Sequence, residues 1–167
     1  MTILVGDIQM PILVGDIETD AIYMPRNIWM VGILDYHSDI FTPYYGDEVA
    51  TGLLKLMEAD ITIGHNWRRY DVKNIERMTK NLIKIDQSKI IDTLELSRKF
   101  CKLTNHKLST WGKMMNFLKE DYSDFSRFDK KMIPYCERDC RLTKKVFDIL
   151  NEMNIESGYT DLLEGFR

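Results

Sequence analysis

Apolar residues fall along this chain in two rhythms that predict strands early and helices late. Ile12-Leu13-Val14, running into Gly15-Asp16, has the continuous apolar character of a buried central strand ending in polar residues. Stretches 28–36 and 40–45 predict two further strands, and the short link between them predicts an antiparallel hairpin. From Asp47 to Ala59, Val49, Leu53, Leu54, Leu56 and Met57 recur at helical spacing, with Asp47 as the expected cap. Ile61-Thr62-Ile63 predicts another strand, 71–80 the start of a helix, and 89–93 a fifth strand. The last third predicts helices over 107–117 and 135–153, the second with Pro134 at its front, where a missing N–H costs nothing. Strands interleaved with helices indicate an α/β fold.

Length and composition narrow this picture. At 167 residues the chain suits one domain with a real core, and at 44% hydrophobic and 29% charged it has the composition of a soluble globular protein. No apolar run approaches a membrane span, and no signal peptide is visible. Cys101, Cys136 and Cys140 leave one thiol over in any pairing scheme, which points to a reducing compartment and a cytoplasmic location. The net charge of -3 lacks the basic footprint of a protein that coats duplex nucleic acid. Ile3-Leu4-Val5-Gly6-Asp7-Ile8 recurs at Ile12-Leu13-Val14-Gly15-Asp16-Ile17, so residues 1–10 read as an N-terminal extension duplicating the first strand, with the domain proper spanning 11–167. Either this is a start-site duplication, with Met10 as a natural initiator, or it is an extra arm able to compete with the first strand. The copies differ where chemistry matters, because Gln9 stands where the second copy has Glu18.

The acidic residues carry the candidate chemistry. Residues two apart on a strand share a side, so Asp16 and Glu18 face one way while Ile17 turns into the core. Tyr135 and Asp139, four apart on a helix, lie on one face. Hard oxygen ligands of this kind suit Mg²⁺ or Mn²⁺; His37, His65 and His106 do not supply the spacing of a structural zinc site. A phenol beside a metal-bound carboxylate can orient an attacking water. The bland alternatives are solvated acids at a strand end and an ordinary amphipathic helix. Cys136 and Cys140 read as a reduced, core-facing pair, Asp92 as a helix cap, and the runs Lys130-Lys131 and Lys144-Lys145 as solvated helix faces.

Taken in order, Asp16-Ile17-Glu18-Thr19, His65-Asn66 leading through Trp67-Arg68-Arg69 to Tyr70-Asp71, and Tyr135-Cys136-Glu137-Arg138-Asp139 resemble the three exonuclease motifs of the DnaQ-like superfamily. The tyrosine of the third motif resembles that of the DEDDy branch, and within it the chain is most similar to the proofreading domain of phage family A DNA polymerases. The 91–98 segment and His106 to Gly112 fit that relative too; the likeness covers roughly 11–150.

The resemblance implies an RNase H-like fold with a five-stranded mixed sheet flanked by helices, and metal-dependent 3′→5′ removal of nucleotides from single-stranded or frayed DNA. It implies two divalent cations: Asp16 bridging both, Glu18 and Asp139 completing the water-activating site, Asp71 holding the second ion largely through water, and Tyr135 orienting the nucleophile. Thr19, Asn66, Trp67, Arg68 and Arg69 would contact the nucleic-acid 3′ end, although Asn66 equally fits a turn hydrogen bond and Trp67 a loop aromatic closing the core. Ile22, Tyr23 and Met24 stand where the family often packs the terminal base. The family relative continues into a polymerase domain, whereas this chain stops at Arg167 and is shorter between Arg98 and His106, which implies a freestanding exonuclease, or a subunit or excised domain of a larger machine with a polymerase or other replication partner, in the host cytoplasm if phage-encoded. An exonuclease specific for RNA or short oligonucleotides, and a non-catalytic binding module of the same fold, remain the alternatives.

Overall fold

The computed structural model describes residues 10–117 and 122–164; the duplicated segment 1–9 lies outside the described residues. Five strands form one mixed sheet: β1 (Ile12–Thr19), β2 (Ile28–Asp35), β3 (Phe41–Tyr45), β4 (Ile61–Gly64) and β5 (Ile90–Asp92), in the order β3-β2-β1-β4-β5. β1 pairs antiparallel with β2 and β2 with β3, while β1–β4 and β4–β5 are parallel. This is the five-stranded mixed sheet that the motif resemblance implies, and the expected hairpin is β2–β3.

The helices are α1 (Val49–Glu58), α2 (Lys73–Met78), α3 (Thr93–Phe100), α4 (Leu108–Met114) and α5 (Met132–Glu156). Alternation along β1 sorts them onto two faces. Ile12 and Val14 pack beneath α5 with Met30, Leu34, Cys136, Cys140 and Phe147. Leu13 and Ile17 pack on the opposite face with Leu53, Leu56, Trp67 and Ile75, under α1 and α2. Burial at Cys136, Asp139, Cys140, Thr143 and Phe147 recurs every three or four residues, so one stripe of α5 lies against the sheet. A third cluster joins Trp111 of α4 to Leu142, Val146 and Leu150, securing α5 from its outer side.

Element ends depart from expectation in several places. β1 runs on through Glu18 to Thr19 because Asp16 to Glu18 continue to pair with β2 across Gly32, Val31 and Met30. Asp47 is not the cap of α1: it falls within a 3-10 turn over Gly46–Glu48, and the helix begins after Glu48 without a side-chain cap bond. α5 starts three residues earlier than expected, at Met132, which leaves Pro134 still inside the first turn. α4 is shorter than its apolar pattern, ending at Met114.

Two glycines set the layer spacing. A Cβ on Gly64 would lie 2.6 Å from the Cβ of Trp67, so β4 is open to the indole that seals its end. A Cβ on Gly32 would lie 2.3 Å from the Sγ of Cys136, closer than any unstrained contact, so α5 reaches the sheet only because β2 is bare there. Gly32→Ala is therefore expected to destabilise the fold by about 1–3 kcal/mol through overpacking, read as a lower melting temperature, whereas an unchanged melting temperature would mean that α5 sits further out than described.

Candidate metal centre

Four carboxylates from three elements converge at the end of β1. Asp16 and Glu18 project from the α5 face of the strand, Asp139 from the buried stripe of α5, and Asp71 from a single π-helical turn, Arg68–Val72, that precedes α2. Glu18, Asp71 and Asp139 are 5%, 4% and 7% exposed, a burial that ionised carboxylates tolerate only with compensating partners. Ligand atoms of Asp16, Glu18 and Cys136 all lie within 4.8 Å of one another. Among the described residues, Glu18 Oε1 is buried with no hydrogen-bond partner.

The electrostatics follow from this crowding. Burial, and then the negative charges of Asp16, Asp139 and Asp71, push the Glu18 carboxyl well above its ordinary range. Burial and the charge of Asp16 do the same to Asp71, opposed by the backbone amide of Ile17, which donates to Asp71 Oδ1 at 3.3 Å. β1 pairs with β4 only over Ile12 to Val14, so Asp71 serves Ile17 where that pairing has ended. Buried oxygens that raise one another's pKa, one of them unpartnered, are the donor set a hard divalent cation would satisfy.

A second carboxylate holds the Asp71 segment in place. Asp92, at the end of β5, caps α3 through Leu94 N at 2.9 Å, as expected, and also accepts from the backbone amides of Asn66 and Arg68, both at 3.0 Å. Asn66 is left-handed, with φ of 60°, and the hydrogen bond its backbone N–H donates to Asp92 gives it the turn role as well as a place at the cleft. The two further bonds from Asp92 had no signal beyond proximity in the fold.

Two expected nucleic-acid contacts take other roles. Trp67 is fully buried, donates from Nε1 to Thr62 Oγ1 at 3.1 Å, and closes the core instead of facing a strand of nucleic acid. Arg68 folds back to donate to Gln87 O, Gln87 Oε1 and Ile90 O and pairs with Glu95 at 3.4 Å, so its guanidinium is committed to the protein. Arg69 is exposed. Thr19 is buried, its hydroxyl 3.0 Å from that of Tyr70, and both hydroxyls lie within hydrogen-bond distance of Ala21 O. Tyr70 is a site residue that sequence reasoning missed; its position next to Asp71 was the available signal.

Beside the acids lies a cleft of about 660 Å³, lined by Glu18, Thr19, Ile22, Asn66, Tyr70 and Tyr135, with Phe125 on its far wall. Tyr135 stands in an aromatic group, 5.8 Å from Phe125 edge-on and 6.0 Å from Tyr122. Ile22, at the rim, is 90% exposed, and Tyr23 and Met24 beside it are exposed too. Asp20 braces their loop by accepting from the amides of Arg26 and Asn27.

Residues 13–151 match the family model of the RNase_H superfamily, and the chain belongs to that superfamily, with its nuclease fold. Among solved structures it is similar to Brucella melitensis NrnC with bound Mg²⁺, at 17% identity and a TM-score of 0.71, covering 91% of this chain and 77% of that one. It is likewise similar to Brucella melitensis NrnC bound to pGG, at 16% identity and a TM-score of 0.69, covering 90% and 76%. None of the curated proteins matches the chain. No helix among the described residues is long and apolar enough to cross a membrane.

The raised carboxyls give a pH prediction. A group whose folded pKa lies above its unfolded value stabilises the protein fully below the ordinary carboxylate range, near pH 4, and that contribution is lost as pH rises through the folded pKa. Metal-free protein should therefore melt at a lower temperature as pH is raised from about 5 towards 8. Millimolar Mg²⁺ or Mn²⁺ should restore the loss, and Glu18→Gln should flatten the slope without metal. Melting curves indifferent to pH, metal and this substitution alike would contradict the electrostatic description.

Proposed function

We propose that this chain is a metal-dependent 3′→5′ exonuclease of the DnaQ-like, DEDDy type, acting on single-stranded or frayed DNA ends and releasing nucleoside monophosphates. The observation that carries this reading is the convergence of Asp16, Glu18, Asp71 and Asp139 around a buried, unpartnered glutamate oxygen, with Tyr135 in the wall of the adjoining cleft. Asp16, Glu18 and Asp139 would hold one divalent ion and Asp16 with Asp71 the other, leaving Asp71 Oδ1 on the Ile17 amide. Bound there, the pair of ions would lower the pKa of an attacking water and neutralise charge on both the attacked phosphate and the leaving oxygen.

The chain's own groups do the rest. The Tyr135 hydroxyl orients the nucleophile by hydrogen bonding, a positioning task that suits a phenol better than proton abstraction does, given its ordinary pKa near 10. Phe125 and the exposed Ile22 offer apolar surface to a base beside the acids, and Arg69 is available to a phosphate. Without cations, ionised carboxylates here would repel a phosphodiester, so cations held by Asp16, Glu18, Asp71 and Asp139 would also serve to admit the substrate. A non-catalytic module would gain nothing from retaining this repulsion. The narrower likeness to polymerase proofreading domains, and any replication partner, rest on the motif residues alone.

A second reading is hydrolysis of short oligonucleotides, RNA included. It is supported by the size of the cleft, about 660 Å³, which suits a ligand of one or two nucleotides, and by the fold shared with NrnC bound to pGG.

Digestion of end-labelled DNA and RNA, as dinucleotides and as longer strands, decides between them. Wild type with Mg²⁺ or Mn²⁺ should shorten strands from the 3′ end. Asp16→Ala should lose roughly three or more orders of magnitude in rate, and Tyr135→Phe about 10²-fold with KM little changed. Equal rates for wild type and Asp16→Ala would sink the exonuclease reading; preference for dinucleotides over longer DNA would favour the second.

A further inference from the structure

A thiol stands inside the ring of acids, and the reaction has no use for it. Cys136, one position after Tyr135 on α5, is completely buried and reduced, and its Sγ donates to Asp16 Oδ2 at 3.6 Å and to the Asp16 carbonyl at 3.9 Å. Cys140, one turn on, bonds instead to the Gly32 carbonyl at 3.8 Å. Cys136 is thus the one cysteine that shares a ligand-sized sphere with carboxylates, its Sγ lying with oxygens of Asp16 and Glu18 within 4.8 Å among the described residues. A second observation points to a ligand at the same spot: Glu18, 5% exposed, carries the oxygen that finds no partner.

We propose that Cys136, Asp16 and Glu18 form a binding site for a thiophilic divalent cation, Zn²⁺ or Cd²⁺, which competes with the hard cation for the same carboxylates. The proposal rests on the reading of this cluster as a cation seat and does not depend on nuclease activity. Its geometric basis is the separation of the donors. With metal–sulfur bonds near 2.3 Å and metal–oxygen bonds of 2.0–2.2 Å, tetrahedral ligands stand about 3.5 Å apart, close to the 3.6 Å between Cys136 Sγ and Asp16 Oδ2. Sulfur selects soft ions and carboxylate accepts either kind, so Mg²⁺ would ignore the thiol while Zn²⁺ or Cd²⁺ would recruit it. On coordination the S–H bond gives its proton to solvent and the sulfur lone pair forms the new bond. Burial and the neighbouring carboxylates hold the resting thiol in its protonated form, so the deprotonation is driven by the metal and not present beforehand. The sulfur finds its place beside Asp16 because Gly32 carries no Cβ, which would lie 2.3 Å from it.

Cd²⁺ alone, added to the full chain without nucleic acid, is the probe, and the readouts are the ultraviolet charge-transfer band of a thiolate–Cd²⁺ bond and the dissociation constant from its titration. Wild type and Cys101→Ser should show the band with similar affinity. Cys136→Ser should lose it and bind Cd²⁺ at least about tenfold more weakly, and Asp16→Asn, which keeps the thiol, should weaken it comparably. Mg²⁺ should displace Cd²⁺ more readily from Cys136→Ser than from wild type. No band in wild type, or a band retained in Cys136→Ser, overturns the proposal. Circular dichroism and melting of each variant show whether it is folded; if Cys136→Ser is not, Asp16→Asn takes its place, and undiminished Cd²⁺ affinity there overturns the proposal too. Oligonucleotide digestion in Mg²⁺ by the same wild-type preparation tests the exonuclease reading separately.

Discussion

Everything at the acidic end of this molecule depends on how closely α5 is allowed to approach the β1–β2 pair. The missing Cβ at Gly32 sets that distance, since the space it would take is occupied by Cys136. Once α5 is seated there, helical periodicity carries Tyr135 to the cleft and Asp139 into the buried stripe facing Asp16 and Glu18. A helix held further out would carry Asp139 away from Glu18, leaving Asp16 and Asp71 as its acidic neighbours. Trp111, Leu142, Val146 and Leu150 supply the apolar contact that keeps α5 in place on its outer side.

That approach has an electrostatic cost. It brings like charges into a poorly solvated space, where Glu18 and Asp71 hold their protons more tightly than exposed acids do. The fold offsets the strain with apolar burial elsewhere: beneath α5 from Ile12 to Phe147, and on the opposite face around Trp67, Leu56 and Ile75. Local destabilisation tolerated within an otherwise well-packed molecule is the pattern expected of a site built to receive something positive.

The sheet was largely legible because strand periodicity is local: Ile12-Leu13-Val14, 28–36 and Ile61-Thr62-Ile63 announce themselves without any partner in view. Asp16 and Glu18 were legible as a pair for the same reason, two residues apart on one strand. Asp71 was not legible from periodicity. It sits on a π-helical turn whose geometry comes from outside it, through Asp92 on β5 and the buried Trp67, so only the order of motifs along the chain pointed to it. Trp67 and Arg68 show the limit most plainly. Their composition suits stacking on bases and contact with phosphates, yet Gly64 opens a space for the indole, and Gln87 and Glu95 capture the guanidinium, partners that lie 19 or more residues away along the chain. The role of Cys136 was hidden likewise, since apolar periodicity places a cysteine in the core but says nothing about which atoms it meets.

The bond from the Ile17 amide to Asp71 gives the sheet an unusual boundary. Beyond Val14 the strand β4 no longer reaches β1, and a carboxylate side chain takes over part of the duty of a neighbouring backbone. Asp71 therefore belongs to two structures at once, closing a hydrogen-bonded edge and facing a cluster of charge. Whatever changes its protonation also changes how firmly the end of β1 is tied down, so the strand that bears Asp16 and Glu18 stiffens or loosens with the electrical state of the pocket it helps to form.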